Sequence, residues 1–159
     1  MWQRVQTVYL GIAIILLGIV SAGVTLFSFV GKANRYVVNS FGITTENAQT
    51  GEAIEQQMMP MMVGTIALAL LCFLAIMSYK NIERQFKLGR TIFFLYFVSV
   101  VGVILLSFFG DALIDDPAGV RRELGLGFYL FVAGLPFTFL ANVGIKRDKR
   151  TLDSLNRLR

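Results

Sequence analysis

The stretch TIFFLYFVSVVGVILLSFFG, Thr91 to Gly110, runs for twenty residues without an Asp, Glu, Lys or Arg. At 1.5 Å of rise per residue, a helix of that length covers the roughly 30 Å of hydrocarbon in a bilayer. Three more stretches are free of charge: Val5 to Gly31, Gln56 to Tyr79 and Leu124 to Ile145. Backbone polar groups in lipid must be satisfied internally, and none of these stretches alternates apolar and polar residues as a barrel strand does. The pattern predicts spanning helices at about residues 8–30, 58–79, 91–110 and 124–145, followed by a tail at 146–159. The expected fold class is all-α: an integral membrane four-helix bundle, with both termini cytoplasmic and a short amphipathic C-terminal tail, in a single membrane domain over residues 1–159.

Composition agrees. Hydrophobic residues make up 55% of the chain and charged residues 16%, against about 25% charged in a soluble domain. Mean hydropathy is +0.66. The first apolar run is too long for the core of a signal peptide and only Arg4 precedes it, so it is expected to be retained as a span.

Basic residues set the orientation. With the N-terminus inside, the cytoplasmic segments carry Arg4, then Lys80, Arg84, Lys87 and Arg90, then Lys146, Arg147, Lys149, Arg150, Arg157 and Arg159. The other side carries Lys32, Arg35, Arg121 and Arg122. Eleven against four is a positive-inside signal that places both termini in the cytoplasm. The net charge of +5 would also suit nucleic acid. Because the excess lies beside span ends, anionic lipid headgroups are the expected partner instead, with a protein partner in the membrane and no nucleic acid.

The tail repeats leucine at Leu152, Leu155 and Leu158. In a helix these share about a third of the circumference, with Arg150, Asp153, Arg157 and Arg159 on the remainder. Such a segment can lie in the headgroup layer or dock on a partner. The plainer reading is a stop-transfer cluster with a frayed end, since so short a helix is marginal alone.

The opening MWQRVQTVYL and the closing ANVGIKRDKRTLDSLNRLR resemble the end signatures of a family of small four-span membrane proteins from Bacteroidetes, catalogued as domain of unknown function 4293. The likeness is strongest at the ends. It implies an inner-membrane protein and lends no activity or cofactor. The positions matching its motifs are Gln3, Arg4, Gln6, Thr7 and Tyr9 at one end, and Asn142, Ile145, Lys146, Asp148, Leu152, Ser154, Arg157, Leu158 and Arg159 at the other. By the charge argument both signatures share the cytoplasmic face. Gln3, Arg4, Asn142, Lys146, Asp148, Leu152, Leu155, Arg157, Leu158 and Arg159 are therefore the candidate interaction surface.

Within the spans, Gly11, Gly18 and Thr25 recur every seven residues, as do Gly127, Gly134 and Ala141. Small residues at heptad spacing let membrane helices approach closely, which predicts that the first and fourth spans pack together. Chance is the alternative, since Gly is common in membrane helices. Pro136 is expected to kink the fourth span.

Four further features are weaker. The aromatic third and fourth spans, with Phe93, Phe94, Phe97, Phe128 and Phe131, suit a quinone or lipid-tail pocket, or ordinary packing. MMPMM, Met58 to Met62, offers soft ligands for copper, yet the chain has no His and one Cys, so Pro60 in a first helical turn is the better reading. Asp111, Asp115, Asp116, Arg121, Arg122 and Glu123 form a charged loop in which Asp116 can cap a helix starting at Pro117. In the longer loop, Lys32 to Glu55, RYVVNSFGIT has the residues of a short hairpin, while ENAQTGEAIEQQ reads as the start of a helix into the second span.

Absences narrow the function. Spans without charge argue against an ion-coupled carrier or proton relay. A chain without His has no bis-His haem and no Ser-His nucleophile. A single Cys gives no intrachain disulfide. No catalytic, cofactor or metal residues are expected. The favoured expectation is a non-enzymatic accessory or assembly subunit of a larger membrane complex, acting through its basic cytoplasmic face. The rival is a lipid- or isoprenoid-binding or modifying protein using the aromatic third and fourth spans and the acidic outer loop.

Overall fold

The computed structural model describes residues 3–110 and 121–157. Four helices account for most of it: α1 Gln3–Ser21, α2 Met61–Met77, α3 Ile82–Phe109 and α4 Leu126–Arg157. They pack side by side in chain order, with α4 closing against α1. Three helical stretches are long and apolar enough to cross a membrane, Met61–Lys80, Ile82–Phe109 and Leu126–Thr151, while the apolar part of α1, Val5–Ser21, is shorter. Only 22% to 28% of each apolar window is buried inside the molecule, so most of these side chains face outward. An exposed apolar girdle of that extent fits hydrocarbon and not water.

The fold is not all-α. Five strands form one antiparallel sheet: β1 Phe27–Val30, β2 Asn34–Asn39, β3 Gly42–Asn47, β4 Ala53–Met58 and β5 Arg121–Leu124, in the order β4-β3-β2-β1-β5. The architecture is mixed, with helices capped at one end by a sheet. Three boundaries explain the difference from the all-α expectation. The first apolar run is two elements, because α1 ends near Gly23, whose φ of 95° suits the left-handed position after a helix, and β1 follows within the same run. Phe27, Ser28 and Phe29 are all buried, and a strand buried on both faces shows no alternation that would separate it from a helix. The stretch ENAQTGEAIEQQ is not the start of a helix. Asn47 N donates to Glu52 O at 2.9 Å, closing a turn, and the chain returns as β4 alongside β3. Finally, RREL pairs as β5 with β1, setting Phe27 opposite Leu124 and Val30 opposite Arg121.

The β2–β3 hairpin turns at NSFG. Asn39 Oδ1 accepts from Phe41 N at 2.9 Å and Gly42 N at 3.1 Å, which suits Asn at the first position of a type I turn and Gly at the fourth. Gly42 has φ of 148°, and a Cβ there would collide with the Gln57 backbone.

The remaining boundaries shift by a few residues. The second span begins at Met61, with Met58 in β4 and Pro60 at the N-cap, outside the first turn. A 3₁₀ turn, Ser78–Lys80, leads into α3, whose first turn is capped by Asn81 Oδ1 accepting from Arg84 N at 3.1 Å. The fourth helix passes Pro136 and continues through the tail to Arg157.

One core cluster joins the sheet to the helices, with Phe27, Phe29 and Val38 from strands against Val20, Tyr96 and Phe131. A second, Leu10, Cys72, Ala75, Ile92 and Ala141, lies further from the sheet. Each helix shows one stripe at helical spacing: Gln6, Leu10, Ala13, Leu17 and Val20 on α1, for example, and Gln85, Gly89, Ile92, Tyr96 and Val100 on α3.

Candidate functional site

The start of α1 and the later part of α4 meet at the end of the molecule opposite the sheet. Gln6, buried on the core stripe of α1, donates from Nε2 to Asp148 Oδ2 at 2.6 Å. Gly144 permits this: a Cβ on it would come within 2.8 Å of Gln6 Cγ. Nearby, Lys149 approaches Glu83 of α3 at 3.9 Å and sits 5.2 Å over the Phe86 ring. Asn142 is half-buried beside Gly89, with its Oδ1 within 3.4 Å of where a Cβ on Gly89 would stand. Three buried amide oxygens on three helices, Gln6 Oε1, Gln85 Oε1 and Asn142 Oδ1, have no hydrogen-bond partner among the described residues. A cleft of about 170 Å³ lies between α1 and α4, walled by Val5, Tyr9, Leu140 and Val143 and crowned by Arg147 and Asp148.

Beyond the Lys149–Glu83 contact, α4 continues as helix for two further turns. Thr151 and Ser154 are exposed there, and their hydroxyls donate back to their own helix, at Arg147 O and Thr151 O. At 32 residues α4 is about 48 Å long, well beyond the roughly 30 Å of a bilayer's hydrocarbon.

The model of a domain of unknown function, DUF4293, matches residues 2–158. The chain belongs to this family. No curated protein matches it.

In this DUF4293 chain the expected surface residues are distributed as follows. Gln3 and Arg4 open α1, Lys146 is exposed, and Asp148 is held by Gln6. Leu152, Leu155 and Arg157 lie in the last turns of α4, while Leu158 and Arg159 fall outside the described residues. Chemistry alone does not single out Gln6 and Gln85 as site residues. The signal is present in their spacing, since each continues the buried stripe of its helix toward the end opposite the sheet.

Helices α1 and α4 make the most extensive helix pairing. Their contact, however, does not run through the glycines of α1. A Cβ on Gly11 or Gly18 would meet nothing within 4 Å. Gly127 faces the backbone of Val24 and Thr25 where the chain leaves α1, and Gly127 N donates to Thr25 O at 2.8 Å. Gly134 faces α3 instead, lying directly under the Tyr96 hydroxyl. Ala141 is buried in the second core cluster. A seven-residue repeat of small residues thus serves three different neighbours.

The aromatic residues of α3 and α4 mostly pack on one another. Tyr96 stacks on Phe131 at 5.3 Å and Phe93 lies 5.6 Å from Phe139, whereas Phe94 and Phe97 point outward. The acidic residues Asp111, Asp115 and Asp116, with Pro117, lie outside the described residues. On the sheet, Arg35 spans from Ser28 Oγ to Glu123, both at 3.4 Å, and Arg122 covers the Phe108 ring at 4.7 Å while donating to Phe108 O. Among the described residues no three His, Cys, Asp or Glu side chains come together as a metal site would require.

Proposed function

We propose that the protein is a membrane-embedded docking subunit, spanning the bacterial inner membrane four times with both termini cytoplasmic, and that α4 projects from the cytoplasmic face to recruit a partner. The observation that carries this reading is the continuity of α4 through Arg157. A helix that lay down in the headgroup layer would bend where it leaves the bilayer, and α4 runs on in one piece. Leucines on a helix that projects into water need a protein surface to cover them, and the surrounding Arg and Lys suit an acidic one. The bias of basic residues to this end supports the orientation. The helix α1, 19 residues long and packed along α4, serves as the remaining span.

Affinity capture in mild detergent tests the proposal. The full chain is expected to retain one protein in stoichiometric amount, which the variant with Leu152→Ser, Leu155→Ser and Leu158→Ser loses. Equal retention by the variant, or no stoichiometric partner for the native chain, contradicts it.

A further inference from the structure

A cavity of about 190 Å³ lies under the sheet between α2 and α3, walled by Met61, Thr65 and Leu68 on one side and Ser99, Val103 and Leu106 on the other. It exists because Gly64 contributes no side chain where α2 passes α3. A Cβ there would meet open space, and exposed Gly64 and Leu106 frame the mouth. A second hollow of about 60 Å³ shares Met61 and Leu106 and extends the space along Phe29 and Val38 beneath the sheet.

The wall is chemically dry. Ser40 donates to Val20 O at 2.6 Å, Ser99 donates to Leu95 O at 2.8 Å, and Thr65 shares a 2.7 Å hydrogen bond with Ser21 while lying 3.0 Å from Met62 O. Water needs two to four polar partners to settle in a cavity, and here the hydroxyl protons are already engaged while the rest of the lining is mostly apolar. Apolar cavities of this size bind apolar molecules, because an empty one forfeits the dispersion contacts of its whole lining. The cavity opens sideways between two helices whose outer faces are apolar, within the sheet-side part of the membrane-length helices. The medium at its mouth is then the hydrocarbon of the lipid leaflet on the sheet side.

We propose that this cavity is a lipid site that takes one acyl chain of a phospholipid from the leaflet nearest the sheet. The chain enters past Gly64 and lies against Leu68, Val103 and Phe131. The site is separate from the α4 arm.

The test uses the full chain reconstituted into vesicles of phosphatidylethanolamine and phosphatidylglycerol, with a minor fraction of phosphatidylethanolamine bearing a diazirine midway along one acyl chain. After illumination, mass spectrometry locates the adducts. Adducts at Thr65, Leu68 and Val103 are expected to exceed several-fold those at Val63 and Leu105, which face outward at the same depth. Gly64→Leu should fill the mouth, reducing the cavity adducts several-fold and leaving those at Val63 and Leu105 unchanged. Ser99→Leu, from the opposite wall, replaces it if Gly64→Leu fails to fold. Cavity adducts no more frequent than outward ones in the native chain overturn the proposal, as do adducts that persist undiminished in a folded cavity-filling variant.

Discussion

Tyr96 fixes the spacing of α3 against α4. It is fully buried, stacks on Phe131 and donates from its hydroxyl to Phe131 O at 2.9 Å, with Gly134 leaving room for the oxygen. Tyr96→Phe removes one buried hydrogen bond and is expected to cost about 1 kcal/mol. Gly134→Leu drives a side chain into the ring and should cost at least the roughly 1 to 3 kcal/mol of an overpacked core. Thermal unfolding in a fixed detergent checks the order, Gly134→Leu being the worse. A reversed order would mean that α3 and α4 are not in this register. At the far end, Gln6→Leu strips Asp148 of its donor and is expected to destabilise by about 1 kcal/mol, in line with the modest worth of polar pairs between membrane helices. Asp148→Asn, which can still accept from Gln6, should cost less. Equal losses would show that the charge of Asp148 matters as much as its bond to Gln6.

At the scale of elements, the sheet is graded in stability. β1 lies between β2 and β5 with its side chains buried, while β4 is an edge strand exposed along its whole length. Hydrogen exchange is expected to be slowest in Phe27–Val30 and in Asn34–Asn39, and fastest among the strands in Ala53–Met58. Uniform protection across all five strands would contradict the strand order. The same grading bears on what can be read from the residues. Helices α2, α3 and α4 are legible because charge is absent for a bilayer's thickness, and NSFG is legible as a hairpin turn within a loop of β-type residues. β1 is hidden inside an apolar run because both its faces are buried. β4 reads as a helix in sequence because Ala, Glu and Gln favour helices when alone, and only the neighbouring strand reverses that weak preference. RREL has no strand pattern of its own and becomes β5 only by completing the free edge of β1. The contact of Gln6 with Asp148 is not readable from spacing, because the two residues lie 142 positions apart. The heptad glycines point to a single pairing because spacing cannot reveal which neighbour each one faces.

For the whole molecule, the sheet and the Gln6–Asp148 contact lie at opposite ends of the helices, with the sheet on the side poorer in basic residues. Reporter fusions within residues 42–51 and at Arg159 are expected to report opposite sides of the membrane, and matching readings would contradict the proposed orientation. The central claim is the mixed fold itself, in which residues from either side of α2 and α3 close one sheet over the helices. An all-helical chain would run from Glu46 to Gln57 as a helix and hold Thr44 and Gln56 roughly 15 Å apart. In the sheet the two are paired across β3 and β4. The most direct measurement is therefore thiol cross-linking in native membranes of a chain carrying Thr44→Cys and Gln56→Cys, with Cys72 replaced by Ala. The account predicts an efficient intramolecular cross-link between positions 44 and 56, and none when Thr44→Cys is combined with Ser154→Cys instead. Failure of the 44–56 pair to link, in a chain that remains folded and inserted, would contradict it.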